Sequence, residues 1–303
     1  MGRKPEAESS ALGCILSGTW TLASLPFWLG AIGLLVVSTT TASKLFAVAL
    51  ICLLPIPLNF LHWRSMRRRL ITVLLLLAGS ISLFLCARQA TGYVDDPEAA
   101  ARVIYHNDNR HFSCSPANLV PEIDQYILGS YLLALIDPNL GWGQAAELRE
   151  NVRSIYDDLA KDAELATLPC LLGSAYREMI GLKPKPGIQF VYLPERSGWD
   201  PLEKKPAIVF LHGGLGNFQG YWVLWKRFAD ANGVAIVAPT FGGGNWSGDG
   251  GLDAIEQARE FCVNHPRIDE ENLVLAGIAN GGTGVILGAR ATPEKWRGLL
   301  FLS

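Results

Sequence analysis

Three long stretches without charge occupy the first ninety residues of the chain. Ala11–Ser43 contains no charged side chain, Leu45–Leu61 follows directly after Lys44, and Leu70–Ala87 forms the third stretch. A membrane-spanning helix needs about 20 mostly apolar residues, with a lower limit of roughly 17. We therefore predict three transmembrane helices, near residues 15–40, 43–62 and 70–87.

The first stretch is the least apolar of the three, because Ser17, Gly18, Thr19 and Thr21 dilute it. Two spans instead of three remain the alternative. A cleaved signal peptide fits less well, since its apolar core is only about 7–15 residues long. The first stretch is longer than that, and two more follow it.

Arginines set the expected orientation. Arg64 and Arg67–Arg69 lie between the second and third spans, and cytoplasmic loops retain an excess of such charge. With this loop inside the cell, everything after Ala87 lies on the opposite side. We expect a multi-pass protein of the plasma membrane, with the lipid bilayer as a partner and an extracytoplasmic C-terminal domain.

Residues 91–187 read as a small helical module that ends in a Pro- and Gly-containing linker at 183–187. The apolar run Tyr126–Ile136 is too short to span a membrane, so we predict a buried helix there. A stripe at helical spacing follows in 144–160. A further helix is predicted at 168–180. The stripe at 144–160 consists of Ala145, Leu148, Val152, Ile155 and Leu159.

One polar cluster in this module contains residue types that can bind a metal ion. His106, Asp108, His111 and Cys114 lie close together, but their spacing fits no standard zinc pattern. A polar surface loop explains them better, so we predict no metal site. Outside the cytoplasm a disulfide between Cys114 and Cys170 is a further possibility.

Strand and helix signals alternate over residues 188–303. Near-continuous apolar strands separated by amphipathic helices imply a mostly parallel, doubly wound α/β sheet that is covered on both faces. The predicted strands are 188–193, 207–211, 234–238, 273–277 and 298–302, and the predicted helices are 218–231, 251–263 and 281–289. The chain thus divides into three predicted regions, 1–90, 91–187 and 188–303.

Two glycine-rich motifs follow strands of this sheet. The first is His212–Asn217, read HGGLGN, in which Gly213 and Gly214 let backbone N–H groups approach a developing oxyanion. The second is Gly277–Gly282, read GIANGG, between a strand and a helix. This is the setting of a nucleophile elbow of the form G-x-S-x-G.

With these motifs in this order, residues 188–303 resemble the α/β-hydrolase superfamily, in particular its secreted esterases and prolyl-oligopeptidase-like members. The resemblance implies an oxyanion hole made by the backbone of Gly213, Gly214 and Asn280. It makes Gly277 and Gly281 the elbow glycines. The implied activity is hydrolysis of a small-molecule ester or a peptide, with no cofactor.

The nucleophile position departs from this pattern, because Ala279 stands where the family has serine. The family's acid and histidine follow the nucleophile in the chain, whereas this sequence stops at Ser303, so we expect only the N-terminal part of the domain. His212 belongs to the oxyanion motif and His265 is expected at the opposite end of the sheet, so neither is a general base.

Two functions are compatible with these residues. The first is a membrane-anchored member of the serine-hydrolase lineage that is inactive as written. The alternative is a non-catalytic pseudoenzyme that binds a ligand or a partner. A net charge of -2 gives no overall electrostatic footprint for nucleic acid. A transporter is disfavoured because the spans contain little ionisable chemistry beyond Lys44.

Overall fold

A computed structural model describes residues 5–61, 65–89, 103–104, 119–163, 165, 187–195, 200, 203–214, 216, 218–247 and 249–303. The chain forms two compact units. The helix unit comprises Met1–Ala90 and Leu119–Arg149, and the sheet unit comprises Thr91–Asn118 and Glu150–Ser303. The predicted boundaries at 90 and 187 stay predictions. The cluster at 106–114, the Cys114–Cys170 pair, Arg64 and the helix at 168–180 lie outside the described residues.

Over residues 5–61 and 65–89, the helix unit forms four helices: α1 (Pro5–Val37), α2 (Thr41–Leu53), α3 (Ile56–Leu61) and α4 (Met66–Gln89). Three stretches of them are long and apolar enough to cross a membrane, namely Gly13–Val37, Thr41–Phe60 and Met66–Gln89. They cover the three predicted stretches. A two-residue turn at Leu54–Pro55 separates α2 from α3, because proline cannot donate the next helical hydrogen bond.

Small residues and apolar side chains hold these helices together. At Gly79 of α4, a Cβ would lie 2.7 Å from the Leu53 side chain, so the two helices approach closely there. Many large apolar side chains of α1 and α4 instead face outward, as a lipid-facing surface requires. They include Leu22, Leu29, Val36, Leu70, Leu77 and Phe84.

Two further helices follow: α5 (Glu122–Ile136) and α6 (Trp142–Lys161), of which the residues up to Arg149 belong to the helix unit. The predicted burial of α5 is wrong for its C-terminal half. Ile127 and Ser130 are buried, but the side chains of Leu132, Leu133, Leu135 and Ile136 are exposed. The reason is that the C-terminal half of α5 is apolar on every face, whereas its packing covers only part of it.

Within its described residues, the sheet unit contains six strands in the order β1-β2-β4-β3-β5-β6. β1 and β2 pair antiparallel, β2 pairs antiparallel with β4, and the remaining pairs are parallel. The mostly parallel sheet predicted from the sequence is therefore present, and β1 adds a strand that the sequence did not indicate. The strands are β1 (Val103–Ile104), β2 (Gly187–Tyr192), β3 (Lys205–Leu211), β4 (Ala235–Thr240), β5 (Ile268–Ile278) and β6 (Gly298–Leu302).

Helices cover both faces of this sheet, and alternate residues of each strand divide between two cores. α7 (Gln219–Asn232) packs on one face through Trp222, whereas α8 (Asp249–Asn264) and α9 (Gly281–Ala291) pack on the other through residues such as Ile255 and Val285. Crossovers on opposite faces carry the chain to opposite sides of β3, as right-handed connections require.

Candidate active site

The two glycine-rich motifs meet at the carboxyl ends of β3 and β5. These strands are neighbours, with Leu211 in register with Gly277, so the residues that follow each strand emerge side by side. The chain leaves β3 towards β4 on one side, while β5 and β6 lie on the other. Open α/β sheets bind ligands at such a point, where the strand order reverses.

The turn after β5, which is the predicted elbow, has a left-handed residue at its centre. Ala279 has φ +48, and it is the one non-glycine residue with positive φ among the described residues. An alanine in this left-handed region is costly. The turn is fixed by hydrogen bonds from the Ala279 N–H to the Leu302 carbonyl (3.0 Å) and from the Gly282 N–H to the Ala279 carbonyl (2.9 Å).

Glycines make this turn possible, because backbone packs directly on backbone at both of its ends. A Cβ on Gly277 would lie 2.4 Å from the carbonyl of Gly281. A Cβ on Gly281 would lie 2.2 Å from the carbonyl oxygen of Leu211 at the end of β3. Side chains cannot occupy such positions, so both glycines hold the elbow against its neighbouring strand.

The loop after β3 lies beside the elbow. A Cβ built on Gly213 would be 3.4 Å from the Ala279 Cβ, and one built on Gly214 would be 3.5 Å from Nδ2 of Asn280. The structure therefore brings together the four residues at the centre of the predicted site. Ala279 and Asn280 are exposed, so a ligand can reach this place from solvent.

The His212 side chain holds the loop that follows β3 in place. Its ring is buried, and Nδ1 lies 2.8 Å from the Gly213 carbonyl. A carbonyl can only accept, so Nδ1 carries the hydrogen and Nε2 accepts from the Phe241 N–H (3.2 Å) and the Thr240 hydroxyl (3.1 Å). Burial lowers the pKa of His212 to about 4, so the ring is neutral at pH 7.

The loop after β4 supports the same motif. The Trp246 side chain is buried, and its Nε1 donates to the His212 carbonyl at 2.9 Å. Gly244 has φ +89, and a Cβ there would lie 2.3 Å from the Gly213 carbonyl oxygen. These contacts of Gly244 and Trp246 hold residues 212–213 of the loop after β3 in place.

The helix that follows the elbow also favours negative charge. α9 begins at Gly281, directly after Ala279 and Asn280, and the N-terminus of a helix carries a partial positive charge. An oxyanion placed between the Gly213–Gly214 loop and the elbow would meet this field. The assignment of Gly213, Gly214 and Asn280 as its donors stays a prediction.

Among the described residues, three further groups with catalytic chemistry, His265, Ser247 and Cys262, are not available at this place. His265 lies just before β5. There the Arg267 carbonyl accepts from the Lys205 N–H, so His265 is at the amino ends of the strands, whereas the candidate site is at their carboxyl ends. Ser247 donates to Asn245 at 2.6 Å. Burial raises the pKa of the Cys262 thiol to about 12, which removes its nucleophilic form.

No protein-family model matches this chain, and no curated protein sequence matches it either. Among solved structures, a thermostable esterase is 22% identical over 38% of this chain and 36% of its own, with a TM-score of 0.32. A fluorophosphonate-binding serine hydrolase of Staphylococcus aureus is 18% identical over 37% and 49%, with a TM-score of 0.33. An acetyl xylan esterase from Aspergillus awamori is 15% identical over 38% and 45%, with a TM-score of 0.31. The chain thus spans less than half the length of each.

Proposed function

We propose that this chain is a membrane-anchored member of the serine-hydrolase lineage, of ester or peptide type, that performs no covalent hydrolysis through its elbow. The observation that carries the proposal is the left-handed Ala279, held next to Gly213 between two strand ends. This conformation costs energy. In a nucleophile elbow the same conformation presents the central side chain above the sheet.

The backbone retains the groups that would stabilise the negative charge which develops in acyl transfer. The Asn280 N–H, the Gly213–Gly214 loop and the start of α9 surround the position where a carbonyl oxygen would become negative. The other half requires a nucleophile, and the methyl group of Ala279 cannot attack a carbonyl. Loss of a serine nucleophile costs on the order of a million-fold in turnover in the best-studied serine protease.

The N-terminal helices supply the anchor in this proposal. The three apolar stretches cross the plasma membrane, and Arg67–Arg69 at the start of α4 lie on the cytoplasmic side. Gln89 at the other end of α4, and the chain after it, are then extracytoplasmic. A substrate or ligand with an ester or amide carbonyl would reach the elbow outside the cytoplasm.

A fluorophosphonate probe tests the elbow, with the full-length protein in membranes. We expect no labelling of the natural chain at the elbow. We expect labelling at residue 279 after Ala279→Ser is combined with a restored C-terminal part that supplies the acid and histidine which the family places after the nucleophile. Adding Gly244→Ala to that variant moves the Gly213 carbonyl, and the labelling rate falls about 100-fold, as when one oxyanion donor is lost. Adding Gly282→Ala is the matched control, because its Cβ only meets the Phe301 ring at 3.5 Å.

Two results would contradict the proposal in different ways. If a folded Ala279→Ser protein with the restored C-terminal part stays unlabelled, the hydrolase assignment fails. If the natural chain is labelled at another residue and hydrolyses esters, the proposed absence of turnover is wrong. The assignment to the lineage is not contradicted by that result.

A further inference from the structure

The C-terminal half of α5 presents apolar side chains that the described part of the chain leaves exposed. Its exposed side chains are Leu132 (53%), Leu133 (46%), Leu135 (68%) and Ile136 (75%). They lie within Tyr126–Ile136, which contains no charged residue. At 1.5 Å per residue this run is about 16 Å long, roughly half of the ~30 Å hydrocarbon core, so it cannot span a bilayer.

The N-terminus of α5 is fixed to the connection between α1 and α2. The buried carboxylate of Asp124 accepts from the N–H and hydroxyl of Thr39 (2.7 and 2.9 Å) and from those of Thr40 (3.1 and 2.5 Å). Thr40 is the N-cap of α2. A single carboxylate with four donors thus holds α5 at the end of two apolar helices.

Residues just before α5 bind the same end of the bundle. Val120 packs with Leu34 of α1 and Ala47 of α2. The Leu119 carbonyl accepts a hydrogen bond from Cys86 near the end of α4 (3.2 Å). The ends of three apolar helices on one side of the bundle therefore all contact the start of this segment.

Further along, α5 stays beside α1. A Cβ on Gly33 would lie 2.9 Å from Cδ1 of Leu128, and Gly33 is about one turn before the end of α1 at Val37. The other side of α5 is covered by α6, where Arg149 lies over the Tyr131 ring (4.0 Å) and contacts the Ser130 hydroxyl (3.4 Å). A charged partner on that side keeps α5 out of the hydrocarbon centre.

We propose that Ser130–Ile136 lies in the boundary between headgroups and acyl chains of the non-cytoplasmic leaflet, covered by phospholipid acyl chains. This inference rests on the membrane anchoring proposed above. Leu35 and Val36 of α1, the helix beside which α5 lies at Gly33, are exposed as well. Apolar faces of interfacial helices bury by about 5–10 Å into this boundary.

Depth-dependent quenching tests the inference in the full-length chain reconstituted into phosphatidylcholine vesicles. An environment-sensitive fluorophore is attached to a single cysteine, after the six native cysteines are replaced by alanine. Leu135→Cys reports on α5, Leu25→Cys on the middle of the first span, and Glu147→Cys on an exposed position of α6. Doxyl lipids carry the quencher either near the headgroup or near the methyl end.

At residue 135 we expect stronger quenching by the shallow doxyl group than by the deep one. At residue 25 we expect the reverse, and at residue 147 we expect little quenching by either. Quenching at 25 without quenching at 135 overturns the inference and leaves the membrane anchoring intact. If neither site is quenched, the anchoring itself fails. Disulfide cross-linking between two copies at position 135, without quenching, overturns the inference in favour of a second copy as the cover.

A second variant keeps the test independent of the cysteine-free background. A photoreactive residue at position 135 of the otherwise natural chain should cross-link to lipid. Asp124→Ala should reduce that cross-linking, because it releases α5 from Thr39 and Thr40. Asp137→Ala is the matched control, since its carboxylate accepts only a local, exposed N–H from Asn139 (2.9 Å) among the contacts described here. Cross-linking to protein alone would contradict the inference.

Discussion

Some glycines of the sheet unit sit directly against backbone atoms, whereas the described glycines of the helix unit do not. In the sheet unit, Gly277, Gly281 and Gly244 sit where a Cβ would meet backbone atoms at 2.2–2.4 Å. In the helix unit, Gly79 and Gly33 meet only side chains, at 2.7 and 2.9 Å, and Gly18 meets nothing within 4 Å. A side chain can adopt another rotamer, whereas backbone in a packed sheet cannot move. The comparison separates glycines that define a site from glycines that permit packing.

Gly281→Ala should cause the largest loss of stability among the glycine substitutions. Its Cβ would overlap the Leu211 carbonyl oxygen in the middle of the site, and overpacking of this kind costs about 3 kcal/mol or more. Hydrogen exchange over 268–278 should show the loss of protection locally. Gly282→Ala, one residue further, should leave exchange nearly unchanged. Equal effects of the two variants would mean that the elbow backbone is not constrained as described.

Acid should destabilise the sheet unit through His212. Its pKa is lowered from 6.5 to about 4 in the folded state, so between these values the unfolded chain binds the proton and the folded chain does not. The contribution of His212 is fully present above pH 6.5 and is lost as the pH falls to about 4, a loss of about 3 kcal/mol.

Denaturation curves between pH 7 and 4 check this expectation. His212→Asn keeps a donor near the Nδ1 position but loses the acceptor for Phe241, so it should lower stability at pH 7 by about 1–3 kcal/mol and flatten the acid slope. His265→Asn is the control. Burial lowers the pKa of His265 too, but its side chain lies away from the site. An unchanged slope in His212→Asn would refute the proposed neutral anchor.

Substitutions in the helix unit should have the smallest effects. Gly79→Ala brings a Cβ to 2.7 Å from the Leu53 side chain. Because that side chain can move, we expect a cost of about 1 kcal/mol in thermal unfolding in detergent, relieved by Leu53→Ala. Gly18→Ala should instead stabilise slightly, by up to about 1 kcal/mol, because alanine restricts the unfolded chain. A cost at Gly18 as large as at Gly281 would remove the distinction between the units.

The predicted elements of the sheet unit lie close to the observed ones because their signals are local. Alternating apolar strands and amphipathic helices fixed the strands from β2 onward to within a few residues, except that β5 begins at Ile268. β1 could not be found, since two residues without a pattern form a strand only when a partner such as β2 is present. The candidate site residues could be proposed from the sequence because glycines mark backbone requirements, and their roles stay predictions.

Other parts of the site needed the structure. Thr240, Gly244 and Trp246 come from the β4 end and the loop after it, and no motif connects them with His212. Their roles depend on two strand ends being neighbours, which is a property of the sheet order. For α5, the sequence indicated an apolar helix but not what covers it, since apolar residues are compatible with a protein core or with lipid.

By itself, the sequence determined the apolar stretches, the alternation of strands and helices, and the presence of Ala279 at an elbow, because each is carried by residues adjacent in the chain. Only the tertiary structure decided that the elbow backbone keeps its left-handed turn, that His212 is a buried neutral anchor, and that α5 exposes apolar side chains beside α1. The reason is physical: burial, ring protonation and backbone overlap depend on atoms that are distant along the chain and adjacent in space.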